Sequence, residues 1–332
     1  MGTVVGAGFA SGQEILHFVT RFGEKSIPIV FLSTLLFIWT GGKILTLSRQ
    51  IKAQSYHDLN QFLFGKTFGN WINMMTFIML IFITGVMLAG AGALFQQYGE
   101  FYKQVGILLT AFFVYYTVSR GLNGILIVNS FVVPAMILFN LIIFSYTWYT
   151  KGWPTFNVAP AHDFWVISPF LYASFNLSLA LAVLVPLASE SKNPTVLWAG
   201  GMIGGLGLGL LLFLSNYSLT AYFYEIINAE IPMAKIVSHW HPLLHGFFNL
   251  IIFGEIFTTL VGNIFGLTKQ VHSLYPEISS KRWMIILIFI AYVISQFGFS
   301  KLIHLFYPVF GYISIGTFAL LLLRKKNKGP VI

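Results

Sequence analysis

The chain has 332 residues, of which 57% are hydrophobic and 9% are charged, and its formal net charge is +9. Soluble domains carry about 25% charged residues, and a soluble protein could not bury this much apolar surface. The composition therefore excludes a soluble fold. The absence of cysteine also excludes disulfides, thiol catalysis and cysteine–metal sites.

Long continuous apolar runs predict an all-α integral membrane protein with about ten transmembrane helices. Several runs approach or exceed the roughly 20 residues that cross the hydrocarbon core as a helix. We expect one transmembrane domain, 1–332, embedded in the lipid bilayer. The predicted segments are 1–20, 27–47, 70–98, 104–118, 122–149, 164–188, 196–222, 241–268, 283–298 and 302–323.

The basic residues lie in the loops between these segments and predict the orientation. When the loops are assigned to alternate sides, thirteen Lys and Arg fall on the side of the C-terminus and six on the other side. The positive-inside rule then places the C-terminal tail, 324–332, in the cytoplasm of a multi-pass protein of the cell membrane. This distribution does not favour a nucleic-acid partner.

The first segment combines three glycines with a carboxylate. Gly6, Gly8 and Gly12 fall within seven residues, and Glu14 follows. Glycine destabilises a helix by about 1 kcal/mol relative to alanine, so the pattern predicts either irregular backbone that binds a solute or ion, or a close-packed helix crossing. Because the chain opens inside this apolar segment, we expect an N-terminally truncated first helix and an upstream extension of about 10 residues.

The sixth segment is rich in polar side chains between two prolines, Pro169 and Pro186. Proline removes a helix donor and disfavours helix at the preceding residue. The pattern predicts either a broken helix that forms a wall of the substrate site, or a proline-kinked helix with inter-helix hydrogen bonds. The candidate substrate-binding residues here are Tyr172, Ser174 and Asn176.

The eighth segment carries Glu255, Thr258 and Thr259, which share one helix face because they are spaced i, i+3 and i+4. Glu255 is expected near the bilayer centre, where ionisable residues are costly and indicate function. A carboxylate and two hydroxyls suit a small cation or a proton. The alternative for the threonines is a hydrogen bond back to their own helix.

Ten segments divide into five plus five, and the polar segments one and six are the first of each half. Corresponding interrupted segments are typical of an inverted-repeat transporter with a site at the membrane midplane. We therefore predict a first repeat of about 1–149 and a second of about 164–323.

Three stretches resemble the YkvI-type family of bacterial membrane proteins: GTVVGAGFASGQE at 2–14, LYASFN at 171–176 and GEIFTT at 254–259. The family resembles a distant branch of the amino acid–polyamine–cation superfamily, which has the leucine-transporter fold. This resemblance implies cation-coupled transport of a small solute, an amino acid or an amine, with Na+ or H+ as the coupling ion. No other cofactor or metal is expected.

The resemblance also implies roles for individual residues. The backbone carbonyls of Gly2 and Val5 would hold a cation together with the hydroxyls of Thr258 and Thr259, and Glu14 and Glu255 are further candidates for coupling. A substrate carboxylate would meet backbone N–H groups of the first segment. The implied substrate-binding residues are Gly6, Ala7, Gly8, Ser11, Tyr172, Ser174 and Asn176.

A different class of function stays open at this point. The same fold could serve a membrane receptor for a small molecule, resembling the subunits of spore-germination receptors. An enzyme is not expected, because the sequence has no nucleophile elbow, zinc-protease motif or phosphate-binding loop. The sequence leaves the oligomeric state, the coupling ion and the substrate open.

Overall fold

The computed structural model describes residues 2, 4–96, 99–154, 164–191, 193–229, 231–238, 242–297, 314–316 and 318. Helices are the only regular secondary structure in these ranges. Two 3-10 turns, Thr20–Lys25 and Phe164–Val166, precede the helices α3 and α8. The α-helices described are α1 (Ala7–Ser11), α2 (Gln13–Phe18), α3 (Ser26–Gln50), α4 (Tyr56–Phe64), α5 (Lys66–Gln96), α6 (Glu100–Val118), α7 (Leu122–Lys151), α8 (Ser168–Glu190), α9 (Pro194–Ala221), α10 (Phe223–Ile226), α11 (Pro232–Val237), α12 (Pro242–Leu274) and α13 (Ser280–Ser295).

Seven helices in the described residues are long and apolar enough to cross a membrane. They correspond to the predicted segments two to eight, and their ends agree with the prediction to within seven residues. Helices are expected here because each backbone N–H and C=O must find its partner inside the spanning segment. The spans are Thr20–Gln50, Lys66–Gln96, Glu100–Val118, Leu122–Lys151, Ser168–Glu190, Pro194–Ala221 and Leu244–Leu274.

The remaining predicted segments differ from the expectation of ten full spans. Segment one is two short helices, α1 and α2, separated by Gly12. Segment nine is α13, whose 16 residues are fewer than a full span needs. Segment ten, 302–323, lies outside the described residues except for 314–316 and 318. The count of ten helices is therefore not confirmed.

Burial separates central helices from peripheral ones. In α5, α8 and α12, 72% of the most apolar stretch is buried, whereas in α7 only 22% is buried. Large apolar side chains on the outer helices are exposed, as a lipid-facing surface requires. Examples of these exposed side chains are Phe31, Phe112, Phe131, Ile203 and Phe289.

Close packing of α3 against α9 fixes one side of the bundle. A Cβ atom on Gly205 of α9 would lie 2.6 Å from Cγ1 of Ile38, so only glycine allows this approach. Small residues at such crossings let helix backbones come together in lipid. Since α3 also packs on α8, this side of the bundle supports the helix that carries Asn176.

Candidate functional site

The first segment is irregular at two points. Val5 and Gly6 are not helical, and Gly6 has extended backbone where α1 begins. Gly12 has φ +83° and ψ −3°, the left-handed conformation that glycine adopts readily. The backbone is thus irregular, as one of the two alternatives left by the sequence requires, and a second turn at Gly12 reorients α2. That this backbone binds a solute or ion stays a prediction.

The stretch before α1 meets α12 at its threonine pair. A Cβ atom on Gly6 would lie 3.1 Å from Oγ1 of Thr259, so the backbone at Gly6 passes close to this side chain. The hydroxyls of Thr258 and Thr259 donate to the carbonyl oxygen of Glu255, at 3.0 Å and 2.9 Å. Each hydroxyl thereby uses its proton, and its oxygen keeps lone pairs that can accept a hydrogen bond or bind a cation.

Glu14 folds back over the first turn of α1. The turn at Gly12 brings its carboxylate so close to Gly8 that a Cβ atom there would lie 2.0 Å from Oε1. Asn176 of α8 donates from Nδ2 to Tyr172 O at 3.0 Å and to Glu14 Oε2 at 3.5 Å. Glu14 is only 5% exposed. The structure therefore places a buried carboxylate between the first segment and α8.

A small cavity lies where the first segment, α5, α8 and α12 meet. Its volume is about 20 Å³, which is room for one water molecule or an ion of similar size. Among the residues that line it, Glu14 is the only charged one, and no side chain is basic. The lining residues are Val4, Gly6, Glu14, Ile83, Met87, Asn176, Leu179, Val183, Thr258, Thr259, Gly262 and Asn263.

Glu255 is buried beside the cavity rather than in its lining. Its side chain is 0% exposed, and neither carboxylate oxygen has a hydrogen-bond partner among the described residues. An ionised carboxylate in such a place costs several kcal/mol unless a cation or proton neutralises it. The position therefore suits a group that exchanges a proton or faces a cation.

The structure brings together five of the residues predicted from the sequence, and these line the cavity: Gly6, Glu14, Asn176, Thr258 and Thr259. Gly8 and Glu255 lie next to this group.

The other predicted residues lie elsewhere. Gly2 lies against Asn129 and Val133 of α7, and Val5 is buried outside the cavity lining. Ser11 donates to Gly8 O at 3.1 Å. Ala7 begins α1. Two residues of α8 also fall outside the lining: Tyr172, whose ring packs against Phe18 and Phe37, and Ser174, which donates to Leu171 O.

Segment six is one continuous helix, so of the two alternatives left by the sequence, a broken helix and a proline-kinked helix, the broken helix is not observed. Helix α8 runs from Ser168 to Glu190. Pro169 sits in its first turn, where the missing N–H would have no intrahelical partner. Pro186 lies inside the helix near its C-terminal end. The polar side chains of this segment are therefore presented by regular helix.

Sequence reasoning did not select several cavity residues. Asn263 lies one turn beyond Thr259, and this i+4 spacing could have identified it. Its Nδ2 is buried and has no hydrogen-bond partner among the described residues. Ile83 and Met87 of α5 gave no signal, because apolar residues in a membrane helix look alike whether they face lipid, a neighbouring helix or a cavity.

Comparison with known proteins defines the class of this molecule. The fold matches the crystal structure of MhsT in complex with L-phenylalanine, with a TM-score of 0.67, 15% sequence identity and coverage of 94% of this chain and 87% of that one. The chain is thus a multi-pass membrane protein with the leucine-transporter fold. No protein-family model matches it.

Sequence relatives define the family. The chain is 40% identical over 331 residues to the uncharacterized membrane protein YkvI of Bacillus subtilis strain 168, covering 98% of this chain and 94% of the relative. It is 27% identical over 328 residues to the uncharacterized protein YyaD of the same organism, covering 97% and 94%. The chain belongs to the YkvI family, and the resemblance seen in the sequence is confirmed. The relative at 40% identity is named as a membrane protein, in agreement with the apolar helices of this chain.

Proposed function

We propose that the protein is a cation-coupled secondary transporter of a small solute, an amino acid or an amine, in the bacterial plasma membrane. The observation that carries this proposal is the cavity formed where irregular backbone of the first segment meets α8 and α12. Irregular backbone at membrane depth is tolerated where it is buried in protein or lines a cavity. Transporters of this architecture bind solute and coupling ion at such points.

The coupling cation would bind between the first segment and α12. The oxygens of Thr258 and Thr259 line the cavity, and the contact between Gly6 and Thr259 brings backbone of the first segment to them. Hydroxyl and carbonyl oxygens are hard ligands that suit Na+. Glu255, one turn earlier on α12, is the group that would carry H+ instead. Coupling by Na+ or H+ therefore involves the same part of α12.

The proposed architecture is the five-plus-five repeat, with a first repeat of about 1–149, a second of about 164–323 and a cytoplasmic tail of 324–332. Support comes from the similarity to MhsT over 94% of the chain and from the cavity, which is lined by residues of the first segment and of α8. Alternating access would move one repeat against the other around this site.

Uptake by purified protein in proteoliposomes tests the proposal. Radiolabelled amino acids and amines are offered with an inward Na+ gradient, an inward H+ gradient or neither. We expect accumulation with one of the two gradients, and Thr259→Val should weaken the dependence on the ion. Thr147→Val is the matched control, because Thr147 of α7 is also buried and donates to its own helix, at Ile143 O.

The outcomes separate a transporter from a receptor. A solute that stabilises the protein against thermal unfolding but is not accumulated under any gradient would favour the receptor and reject transport. Equal loss of uptake in Thr259→Val and Thr147→Val would instead indicate a general folding defect and reject the assigned cation site.

A further inference from the structure

We propose that a groove between α5, α12 and α13 binds one anionic phospholipid of the cytoplasmic leaflet, with its head group near Lys66 and Trp283 and an acyl chain along α5 and α13. This site is separate from the proposed transport site, and its test does not depend on transport. Three properties of the groove support the assignment: its size, the order of its polar and apolar residues, and the charge at its end.

The groove lies where the N-terminal ends of α5 and α13 meet the C-terminal end of α12. Its volume is about 480 Å³, which is within the usual range of sites for small molecules. The cavity at the proposed cation site is about 20 Å³, and the two share no lining residue. The groove is therefore a second site, large enough for part of a lipid.

Polar and apolar residues follow one another along the groove. Asn70 lies one turn after the start of α5, and Gln270 lies one turn before the end of α12, so both are near one face of the membrane. Deeper along the helices the lining is apolar, with Phe77 of α5 and Ile290 of α13. Ile290 is seven residues beyond Trp283, which is about 10 Å along a helix. A matching ligand has a polar end and a hydrocarbon chain.

Trp283 supplies an unpartnered donor at the polar end. Its indole Nε1 is buried and has no hydrogen-bond partner among the described residues, and a buried donor without a partner is costly. Two other polar residues of the groove do have partners: Asn73 donates to Nδ1 of His57 at 2.8 Å, and Gln270 accepts from the hydroxyl of Tyr56. Trp283 lines the groove, so an acceptor oxygen of a bound head group would satisfy its N–H.

Basic residues surround this polar end. Lys66 lines an adjoining pocket that shares two lining residues with the groove. Lys281 and Arg282 are exposed and directly precede Trp283 in the first turn of α13. All three belong to the set of thirteen that the positive-inside rule places at the cytoplasmic face.

The charge balance favours an anionic head group. Two acidic residues are near these three basic ones: Glu277, in the turn before α13, and Asp58 of α4. The Asp58 carboxylate already accepts from the backbone N–H groups of Gln54 and Ser55. Basic clusters at the cytoplasmic face attract anionic lipids. Free phosphate would match the charge but not the apolar length of the groove, so a phospholipid is the occupant that fits both.

Native mass spectrometry of the purified wild-type protein tests the assignment. The protein is released from micelles that contain equal amounts of phosphatidylglycerol and phosphatidylcholine with identical acyl chains. We expect one retained phosphatidylglycerol per protein, with a preference of roughly tenfold or more over phosphatidylcholine, because only the former has a net negative head group. Millimolar inorganic phosphate should not displace it, since phosphate has no hydrocarbon to bury against the apolar walls. This comparison needs no variant.

Two pairs of variants then locate the lipid. Met74→Trp should remove the retained lipid, because Met74 lines the groove and is 53% exposed, so the larger ring can fill the groove without entering the core. Leu138→Trp on α7 is the matched control, since Leu138 is 59% exposed and does not line the groove. Lys66→Gln should lower the preference for phosphatidylglycerol roughly fivefold. Arg120→Gln, at an exposed residue after α6 on the same predicted side, should leave the preference unchanged.

The remaining outcomes overturn the assignment. Equal retention of the two lipids by the wild type would show only non-specific lipid around the protein. Retention that is unchanged in Met74→Trp, or lost equally in Leu138→Trp, would reject the groove as the site. Displacement of the lipid by phosphate would reject the role of the apolar walls. Each result leaves the proposed transport to be decided by the uptake assay alone.

Discussion

Gly6 and Thr259 come together from opposite ends of the sequence, and a Cβ atom on Gly6 would lie only 3.1 Å from the Thr259 hydroxyl oxygen. This contact joins the irregular start of the first segment to the middle of α12. Both residues line the cavity. The spacing between them therefore sets the geometry of the proposed cation site.

Gly6→Ala is expected to weaken binding of the coupling cation. The added methyl group must push the Thr259 hydroxyl away by a few tenths of an ångström, and overpacking of this kind costs typically about 1–3 kcal/mol. Since about 1.4 kcal/mol corresponds to a tenfold change in affinity, the ion concentration for half-maximal uptake should rise roughly tenfold. The measurement is uptake in proteoliposomes against ion concentration.

Two further variants control this prediction. Gly246→Ala on α12 should leave uptake unchanged, because nothing lies within 4 Å of a Cβ atom there. Adding Thr259→Ala to Gly6→Ala should restore thermal stability but not uptake, since it relieves the crowding and removes the oxygen. Unchanged ion affinity in Gly6→Ala would show that this contact has no part in the cation site.

The spanning helices and the irregular backbone near Gly6 could be predicted from the sequence, because both depend on residues that are neighbours along the chain. Apolar runs of sufficient length must be helical in lipid, so segments two to eight were found. Glycines mark weak points in a helix, so irregular backbone near Gly6 was found as well. Thr258 and Thr259 followed from their i+3 and i+4 spacing to Glu255.

The rest of the site depends on three-dimensional relationships that local pattern does not carry. A glycine can take either sign of φ, so the sequence could not show that Gly12 turns the chain and returns Glu14 to Gly8. Pro169 left a broken helix in segment six open as one of two alternatives, but in the first turn of α8 it costs no hydrogen bond. Gly2 was expected at the cation site by resemblance; a Cβ atom there would meet Asn129 and Val133, and the role of its carbonyl stays a prediction.

Gly12→Ala is expected to lower the free energy of unfolding by about 1–2 kcal/mol, because a left-handed conformation costs an L-residue roughly that much. The new Cβ atom would also lie 3.0 Å from Met233 and 3.1 Å from Leu219. Gly200→Ala is the control, and it should raise the free energy of unfolding. Gly200 lies within α9, nothing lies within 4 Å of a Cβ atom there, and alanine favours helix. Equal thermal midpoints for both variants would contradict the role assigned to the Gly12 turn.

Cysteine labelling should place the two ends of the bundle on opposite sides of the membrane. The chain has no cysteine, so single cysteines can be introduced without a cysteine-free background. Lys235→Cys in α11 should react with a membrane-impermeant maleimide in intact cells, and Lys281→Cys in α13 only after permeabilisation. Both lysines are exposed. The reverse pattern would overturn the orientation inferred from the thirteen-to-six distribution of basic residues.

Glu255→Gln is expected to separate coupling from folding. The wild-type carboxylate is fully buried, and its oxygens have no hydrogen-bond partner among the described residues, so an amide of the same shape removes the cost of burying a charge. The thermal midpoint should therefore stay the same or rise. Uptake should no longer respond to an imposed pH gradient, because the amide cannot carry a proton.

Glu225→Gln is the control for the Glu255 variant, because Glu225 forms an exposed ion pair with Lys151 at 3.2 Å and such pairs contribute about 0–1 kcal/mol. This control should leave both stability and pH response unchanged. A Glu255→Gln protein whose uptake still follows the pH gradient would remove Glu255 from the proton pathway. Uptake could instead require Na+ and show no response to the pH gradient in the wild type and in both variants. That result would assign coupling to the oxygens of Thr258 and Thr259, where the first segment meets α12.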